Sequence, residues 1–260
     1  MFTSSKIDVP EAPVVLIHPW GSSGEMCWTN VANRLREAGH EVSIVDLPGH
    51  ASAGSVPFTW NNAAERVIAA STAADAGPAV LVGLSVGAAV ALRAAARTPE
   101  AVAGIVLTGA GACWADRRTR AVLSAVSIAG FASAAAGRYE LLAYASGYRG
   151  LAQLHQAGES MRGSSPVQLY RTARELTKFD VRSVPPPQVP AAVLVLADDH
   201  RMPPGLQRRL ARYLDCPSFD IAADHDAPVR EPERFTGALI EALAAVGSAR
   251  PASPTPAGKD

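Results

Sequence analysis

Short apolar runs rich in valine, isoleucine and leucine alternate with alanine-rich helical stretches along most of this chain. The first four runs are predicted strands, at Val14–His18, Val42–Asp46, Ala79–Leu84 and Val102–Thr108. The segments between them, residues 25–38, 61–76 and 86–97, have the pattern of helices. Apolar strands separated by helices are typical of a mostly parallel central sheet with helices on both faces. The alternation therefore predicts an α/β fold.

The alternation stops after the fourth run and resumes about 75 residues later. Residues 112–187 have helical patterning broken by glycines, and strands and helices then alternate again: a strand at Ala192–Ala197, a helix at Pro204–Leu214, a strand at Ser218–Ala222 and a helix at Glu231–Val246. We therefore predict a core formed by residues 1–111 and 188–247, and a helical cap at 112–187. The cap is expected over the carboxyl edge of the sheet, where open α/β sheets bind ligands. Residues 248–260, rich in proline, alanine and serine, are predicted to be disordered.

Composition excludes several classes of function. The 260 residues carry 24 basic and 24 acidic side chains, and this balance argues against a nucleic-acid or anionic-membrane partner. Three cysteines are too few for a disulfide framework or a metal knuckle, which favours a reducing compartment. The sequence has no signal-peptide pattern and no uncharged run of about 20 residues. We expect a cytoplasmic protein with a small-molecule substrate; the sequence does not indicate its oligomeric state.

A Gly-x-Ser-x-Gly pattern joins the third predicted strand to the helix after it. Gly83, Ser85 and Gly87 form the pattern. A strand that turns directly into a helix strains the corner residue and leaves no room for side chains two positions away. Ser85 is therefore predicted to be a nucleophile raised above the sheet. The backbone N–H of Val86 would lie at a helix amino terminus, where it can stabilise an oxyanion.

With this turn, the chain resembles the α/β-hydrolase fold family over nearly all of residues 10–247. His18-Pro-Trp-Gly21 is similar to the family's His-Gly-x-Gly loop, which implies that the Trp20 N–H is the second oxyanion donor, although Pro19 replaces a glycine. His18 is expected to organise this loop rather than to carry a proton. Asp46-Leu-Pro-Gly-His50 is similar to a structural loop of the family, so neither Asp46 nor His50 is given a catalytic part.

The resemblance also implies an acid after the strand that follows the cap and a base after the last strand. Counting forward from Pro190 or back from Pro203 places the acid at Asp199. A shift of one residue, with Pro204 as the reference, would place His200 at the acid position and leave Asp198 or Asp199 to serve. The expected glycine three residues before the acid is Leu196 here. His225 precedes a Pro-Glu-Arg-Phe segment that resembles the family's final helix, which makes it the expected base.

These residue types predict a serine hydrolase. His225 would deprotonate Ser85, Asp199 would hold the imidazole, and an acyl-enzyme would form and then be hydrolysed. The predicted substrate is a small ester, lactone or thioester with a neutral or hydrophobic acyl part, and no metal or organic cofactor is expected. Two alternatives remain open. The same site could catalyse acyl transfer, carbon–carbon hydrolysis, perhydrolysis, elimination or cyclisation, or the chain could be a binding protein on the same scaffold.

Aromatic and apolar side chains around the predicted crevice are candidates for the substrate pocket. They are Trp28, beside the oxyanion loop, Cys113 and Trp114, beyond the fourth strand, and Phe131 in the cap. The apolar cap segment at 121–137 is expected either to pack on the core or to form a wall for a lipophilic substrate.

Overall fold

The computed structural model describes residues 12–73, 77–112, 121, 124–125, 128, 131–132, 136–145, 150–162, 164–176 and 179–249. The elements that precede the predicted cap are β1 (Val14–Ile17), α1 (Gly24–Glu37), β2 (Val42–Val45), α2 (Trp60–Ser71), β3 (Ala79–Leu84), α3 (Val86–Arg97) and β4 (Val102–Thr108). The segment predicted to form the cap, called the cap segment or cap below, contains α4 (Tyr139–Ala145), α5 (Leu151–Arg162) and α6 (Pro166–Leu176). The chain then continues through β5 (Ala191–Leu196), α7 (Pro204–Leu214), β6 (Ser218–Ile221), α8 (Ala227–Arg230) and α9 (Pro232–Ser248).

The six strands of the described residues form one parallel sheet in the order β2-β1-β3-β4-β5-β6. The predicted α/β fold is therefore confirmed. Every residue of β1 and β3 is buried, as expected when helices cover both faces of a parallel sheet. Side chains of α1 and α9 pack on one face, and those of α2, α3 and α7 pack on the other.

Local capping sets the start of several helices. The Ser23 hydroxyl accepts a hydrogen bond from the Met26 N–H at the start of α1, and the Thr59 hydroxyl accepts one from the Asn62 N–H at the start of α2. Helix α2 ends at Ser71, earlier than the predicted residue 76, and α9 extends to Ser248. The remainder of the predicted tail, from residue 250 onward, lies outside the described residues.

The cap contacts the core through a small apolar cluster. Ala143, Ala157, Met161 and Leu169 are buried together, and Trp20 of the core packs against them. No helix in the described part of the chain combines the length and apolar composition needed to cross a membrane.

Candidate active site

The carboxyl ends of five neighbouring strands meet at one edge of the sheet. Residues 18–21 follow β1, Ser85 follows β3, Gly109 follows β4, Asp199 comes three residues after β5, and His225 comes four residues after β6. Since parallel strands all present their carboxyl ends at the same edge, these distant parts of the chain are brought together there.

Ser85 lies at a strained corner between β3 and α3. Its φ of 56° and ψ of −113° are unusual for a residue that carries a side chain. A Cβ added at Gly83 would lie 2.4 Å from backbone atoms of Gly87, and one added at Gly87 would lie 2.2 Å from the Ile17 carbonyl oxygen. Neither position has room for a side chain, because a Cβ there would overlap backbone atoms. The contact at Gly87 also brings the start of α3 against the end of β1.

Asp199 and His225 form a buried hydrogen-bonded pair. His225 Nδ1 lies 2.6 Å from Asp199 Oδ2, and the other carboxylate oxygen accepts the backbone N–H groups of Arg201 and Met202, each at 2.8 Å. The neighbouring Asp198 is exposed.

Burial acts to raise the pKa of Asp199, but the hydrogen bond and charge of His225, together with the two backbone N–H groups, outweigh it and hold the pKa below its usual value. This buried carboxyl group is therefore stabilised as the carboxylate.

The ring of His225 lies beside the serine corner. A Cβ added at Gly109 would be 2.8 Å from Leu84 Cδ1 and 3.0 Å from His225 Cε1, and the Ser85 N–H donates to the carbonyl of Thr108 at 2.9 Å. In the described part of the chain, no hydrogen bond joins the Ser85 hydroxyl to His225. Such contacts are often long before substrate binds.

Two buried histidines support the loop that follows β1. His18 Nε2 accepts the Leu47 N–H at 2.9 Å, and His50 Nε2 accepts the Gly21 N–H at 3.3 Å. Because each Nε2 accepts, each Nδ1 carries the proton, and these groups face the carbonyl oxygens of Pro19 and Pro48. Burial lowers the pKa of both imidazoles, that of His50 to about 3. Both rings are therefore neutral supports of the loop.

The cap helices contact the same loop. The Trp20 indole N–H donates to the carbonyl of Leu169 on α6 at 3.1 Å. A Cβ added at Gly21 would lie 2.9 Å from Met161 Cε on α5. The position of the Trp20–Gly21 segment therefore depends on the cap helices as well as on the core.

A cleft that is open to solvent lies between this loop, α1, α5 and α8. Its lining is largely apolar and consists of Pro19, Gly21, Ser22, Met26, Cys27, Leu84, Gln156, Ala157, Asp226, Pro228, Val229 and Arg230. Leu84 and Asp226, the immediate neighbours of Ser85 and His225 in the chain, line the cleft, whereas Ser85 and His225 themselves are not among its lining residues.

The predicted pocket residues have different outcomes. Trp28 does not line the cleft: it is fully buried and packs on Phe235 with ring centroids 5.8 Å apart, because its position on α1 faces the sheet. Phe131 is 44% exposed, contacts the ring of Tyr170, and is absent from the cleft lining. Cys113 and Trp114 lie outside the described residues. Sequence reasoning did not single out Cys27, which lines the cleft from the first turn of α1.

One group of side chains in the described residues has the spacing of metal ligands. Glu140, His155 and Glu159 of the cap place one ligand atom each within 4.8 Å of one another. Two of the three are exposed, and exposed acidic groups commonly gather without an ion, so we assign no metal site here.

Comparison with known proteins agrees with this architecture. A model of the alpha/beta hydrolase family matches residues 14–238. The pimeloyl-[acyl-carrier protein] methyl ester esterase of Chromobacterium violaceum is 30% identical over 244 residues, which cover 88% of this chain and 93% of that protein. The enzyme of the same name from Methylococcus capsulatus is 42% identical, but over 36% of this chain and 35% of its own length. The chain thus matches about a third of the length of several curated relatives.

A solved structure gives the same fold at lower sequence similarity. A thermophilic esterase from Thermogutta terrifontis superposes with a TM-score of 0.75 and 22% identity, covering 91% of each chain. At this identity the likeness concerns the fold alone.

Proposed function

The chain belongs to the alpha/beta hydrolase family, and on that premise we propose that it is a serine esterase that cleaves a small ester, lactone or thioester. Ser85 is the proposed nucleophile, His225 the base and Asp199 the acid. The observation that carries this proposal is the 2.6 Å hydrogen bond between His225 and Asp199, next to a serine held at a strained strand–helix corner.

The tautomer of His225 suits the role of base. Since Asp199 is an ionised acceptor, Nδ1 carries the proton that it shares with Oδ2, and Nε2 is left with a free lone pair. As the Ser85 oxygen attacks the carbonyl carbon, Nε2 takes the hydroxyl proton. The imidazolium then gives this proton to the leaving alkoxide, and the acyl-enzyme remains. Water, deprotonated by the same nitrogen, releases the acid and restores Ser85.

The backbone N–H groups of Trp20 and Val86 are the proposed oxyanion donors. Val86 is the first residue of α3, so its N–H has no acceptor within the helix. The tight approach of Gly87 to Ile17 places this helix start against the strand that leads to Trp20. Each such donor typically contributes about 2.7 to 4 kcal/mol to lowering the barrier.

The cleft favours a neutral acyl group. Its floor is formed by apolar side chains such as Met26, Leu84 and Val229. The two charged lining residues already have partners, Asp226 with Arg201 and Arg230 with Asp224. The Chromobacterium violaceum relative is named as a methyl ester esterase, which supports an ester of a small alcohol as the substrate.

Two assays test the proposal. A fluorophosphonate probe should label the wild-type chain and should not label Ser85→Ala. The p-nitrophenyl ester of butyric acid should be hydrolysed with a kcat/KM at least about tenfold higher than the ester of the charged hydrogen succinate, because the cationic side chain that lines the cleft, Arg230, is already paired.

Each negative result has a distinct meaning. Absence of labelling at Ser85 would favour a binding protein on this scaffold. Labelling without turnover of any ester, lactone or thioester would assign the site to another reaction, such as acyl transfer, carbon–carbon hydrolysis or perhydrolysis.

A further inference from the structure

A fully buried glutamine lies behind the acid–base pair. Gln207, on α7, has no exposed surface. Its carboxamide contacts three residues: Leu196 at the end of β5, and Asp199 and Met202 in the turn after it. A buried amide that finds partners on every side is strongly oriented, because each unmade hydrogen bond would cost free energy.

The first contact supplies hydrogen-bond partners for the backbone of Leu196 at the end of the sheet. The Ala197 N–H bonds the Ile221 carbonyl on the β6 side, so the N–H and C=O of Leu196 point to the opposite side. There β4 no longer runs alongside, because its register with β5 ends at Thr108↔Leu194. Gln207 takes the place of the missing strand: Oε1 accepts the Leu196 N–H at 3.0 Å, and Nε2 lies 3.4 Å from the Leu196 carbonyl.

The second contact reaches the acid. Nε2 donates to the Met202 carbonyl at 2.6 Å and lies 3.3 Å from Asp199 Oδ2, the oxygen that also binds His225. The amide orientation is unambiguous, because the Leu196 N–H requires an oxygen opposite it and the carbonyls require an N–H group. Gln207 therefore links the backbone of β5 to the carboxylate.

We propose that Gln207 is a positioning residue: by donating an N–H to Asp199 Oδ2, it holds the carboxylate in the orientation that binds His225. This inference rests on the proposed roles of Asp199 and His225. The donor restrains the carboxylate oxygen that binds the imidazole and withdraws part of its negative charge.

Two consequences distinguish this role from simple packing. Removing the donor leaves Oδ2 more basic, so it binds the imidazolium more strongly and the acid limb of kcat/KM moves to higher pH. The carboxylate also loses a restraint, so kcat falls. The other charged groups beside the pair, Arg201 and Asp226, bind each other and are unaltered by a change at Gln207.

The test compares Gln207→Met with Gln207→Glu. Methionine matches the shape and removes all hydrogen bonds, whereas glutamate keeps an acceptor for the Leu196 N–H and, when ionised, has no donor for Asp199. Both should lower kcat about tenfold, the worth of one hydrogen bond to a charged group, with a smaller change in KM. In proton NMR, the downfield resonance of the His225 Nδ1 proton should shift in both variants, and the acid limb should move to higher pH in Gln207→Met.

Gln168→Glu is the matched control, because Gln168 is a buried glutamine whose Oε1 faces the Phe58 N–H instead of Asp199. It should leave the resonance and the acid limb in place. A wild-type resonance and wild-type kcat in Gln207→Met would overturn the proposal. If Gln207→Met failed to fold, the same result in Gln207→Glu, measured at a pH at which the introduced carboxyl group is ionised, would overturn it. The resonance requires no turnover, so a wild-type chain that shows it but is not labelled at Ser85 would count against the proposed function alone.

Discussion

The two halves of the site are supported by opposite kinds of buried polar group. On one side, the charged carboxylate of Asp199 is surrounded by N–H donors from its own turn and from Gln207. On the other, the loop that carries Trp20 rests on His18 and His50, two imidazoles held neutral by burial. The first half, which is the proposed acid–base half, therefore contains a stabilised charge, whereas the second, the proposed oxyanion half, rests on imidazoles that carry none.

The halves also differ in what anchors them. The acid–base half is bound to β5 and α7 within the core. The oxyanion half is bound to the cap as well, through the contacts of Trp20 with Leu169 and of Gly21 with Met161. We therefore expect changes in the first half to alter the chemistry and its pH dependence, and changes in the second to depend on the cap.

The largest expected effect comes from removing the charge of the acid–base half. Asp199→Asn should lower kcat roughly 10⁴-fold, because the amide cannot hold the tautomer of His225 or stabilise its cation. Asp198→Asn, at the exposed neighbouring position, should change kcat only a few-fold. Steady-state kinetics on one p-nitrophenyl ester would separate the two, and the reverse ranking would show that Asp198 is the acid.

The contact between the serine corner and the strand that leads to the Trp20 loop should be the next most sensitive. Gly87→Ala places a Cβ 2.2 Å from the Ile17 carbonyl oxygen, so we expect a loss of about 3 kcal/mol in the free energy of unfolding. Gly205→Ala is the control: its Cβ would meet nothing within 4 Å, and a helical alanine should stabilise by about 0.5 kcal/mol. Urea denaturation measures both, and equal stabilities would show that the corner can relax.

The imidazoles that support the Trp20 loop lead to a prediction about the pH dependence of stability. The pKa of His50 is about 3 in the folded chain against 6.5 for an unperturbed histidine, so the unfolded chain binds the extra proton between these values. Stability should therefore fall as the pH drops below 6.5, approaching about 1.4 kcal/mol for each pH unit. His50→Gln should remove this part of the slope. Urea unfolding between about pH 7 and about pH 4.5 checks it, and an unchanged slope would mean that His50 is not held neutral.

The smallest effect should come from the bond between the oxyanion loop and the cap. Trp20→Phe removes the indole donor to Leu169 but keeps an aromatic ring, so we expect kcat/KM to fall about fivefold, the equivalent of about 1 kcal/mol. Trp60→Phe, which changes a tryptophan packed on Phe179 away from the cleft, should leave kcat/KM unchanged. A loss of the same size in both variants would indicate a general effect of tryptophan removal.

Much of the fold could be predicted because it depends on local patterns. The bounds of β3, α3, β4 and α7 agree with those predicted from the alternation of apolar runs and from the prolines and glycines that end them. The corner at Ser85 could be predicted for the same reason, since its two glycines respond to a clash within one short segment.

Other features depended on contacts between distant segments. The burial of Trp28 against Phe235 could not be predicted, because the face of α1 that meets α9 is not visible in α1 alone. The sequence did not identify Gln207 and His50 as supports of the site. A glutamine in a helix or a histidine in a loop has no distinctive pattern until its partners, 8 and 29 residues away, are brought beside it.

By itself, the order of residues determined the parallel sheet, the serine corner and the candidates for acid and base, because these follow from hydrophobic periodicity and from steric limits acting over a few neighbouring residues. Only the tertiary structure decided that Asp199 rather than Asp198 faces His225, and which buried amide and imidazoles hold the two halves of the site. Those choices depend on which polar atoms lose contact with water together, and that is settled only when strands and helices from separate parts of the chain pack against one another.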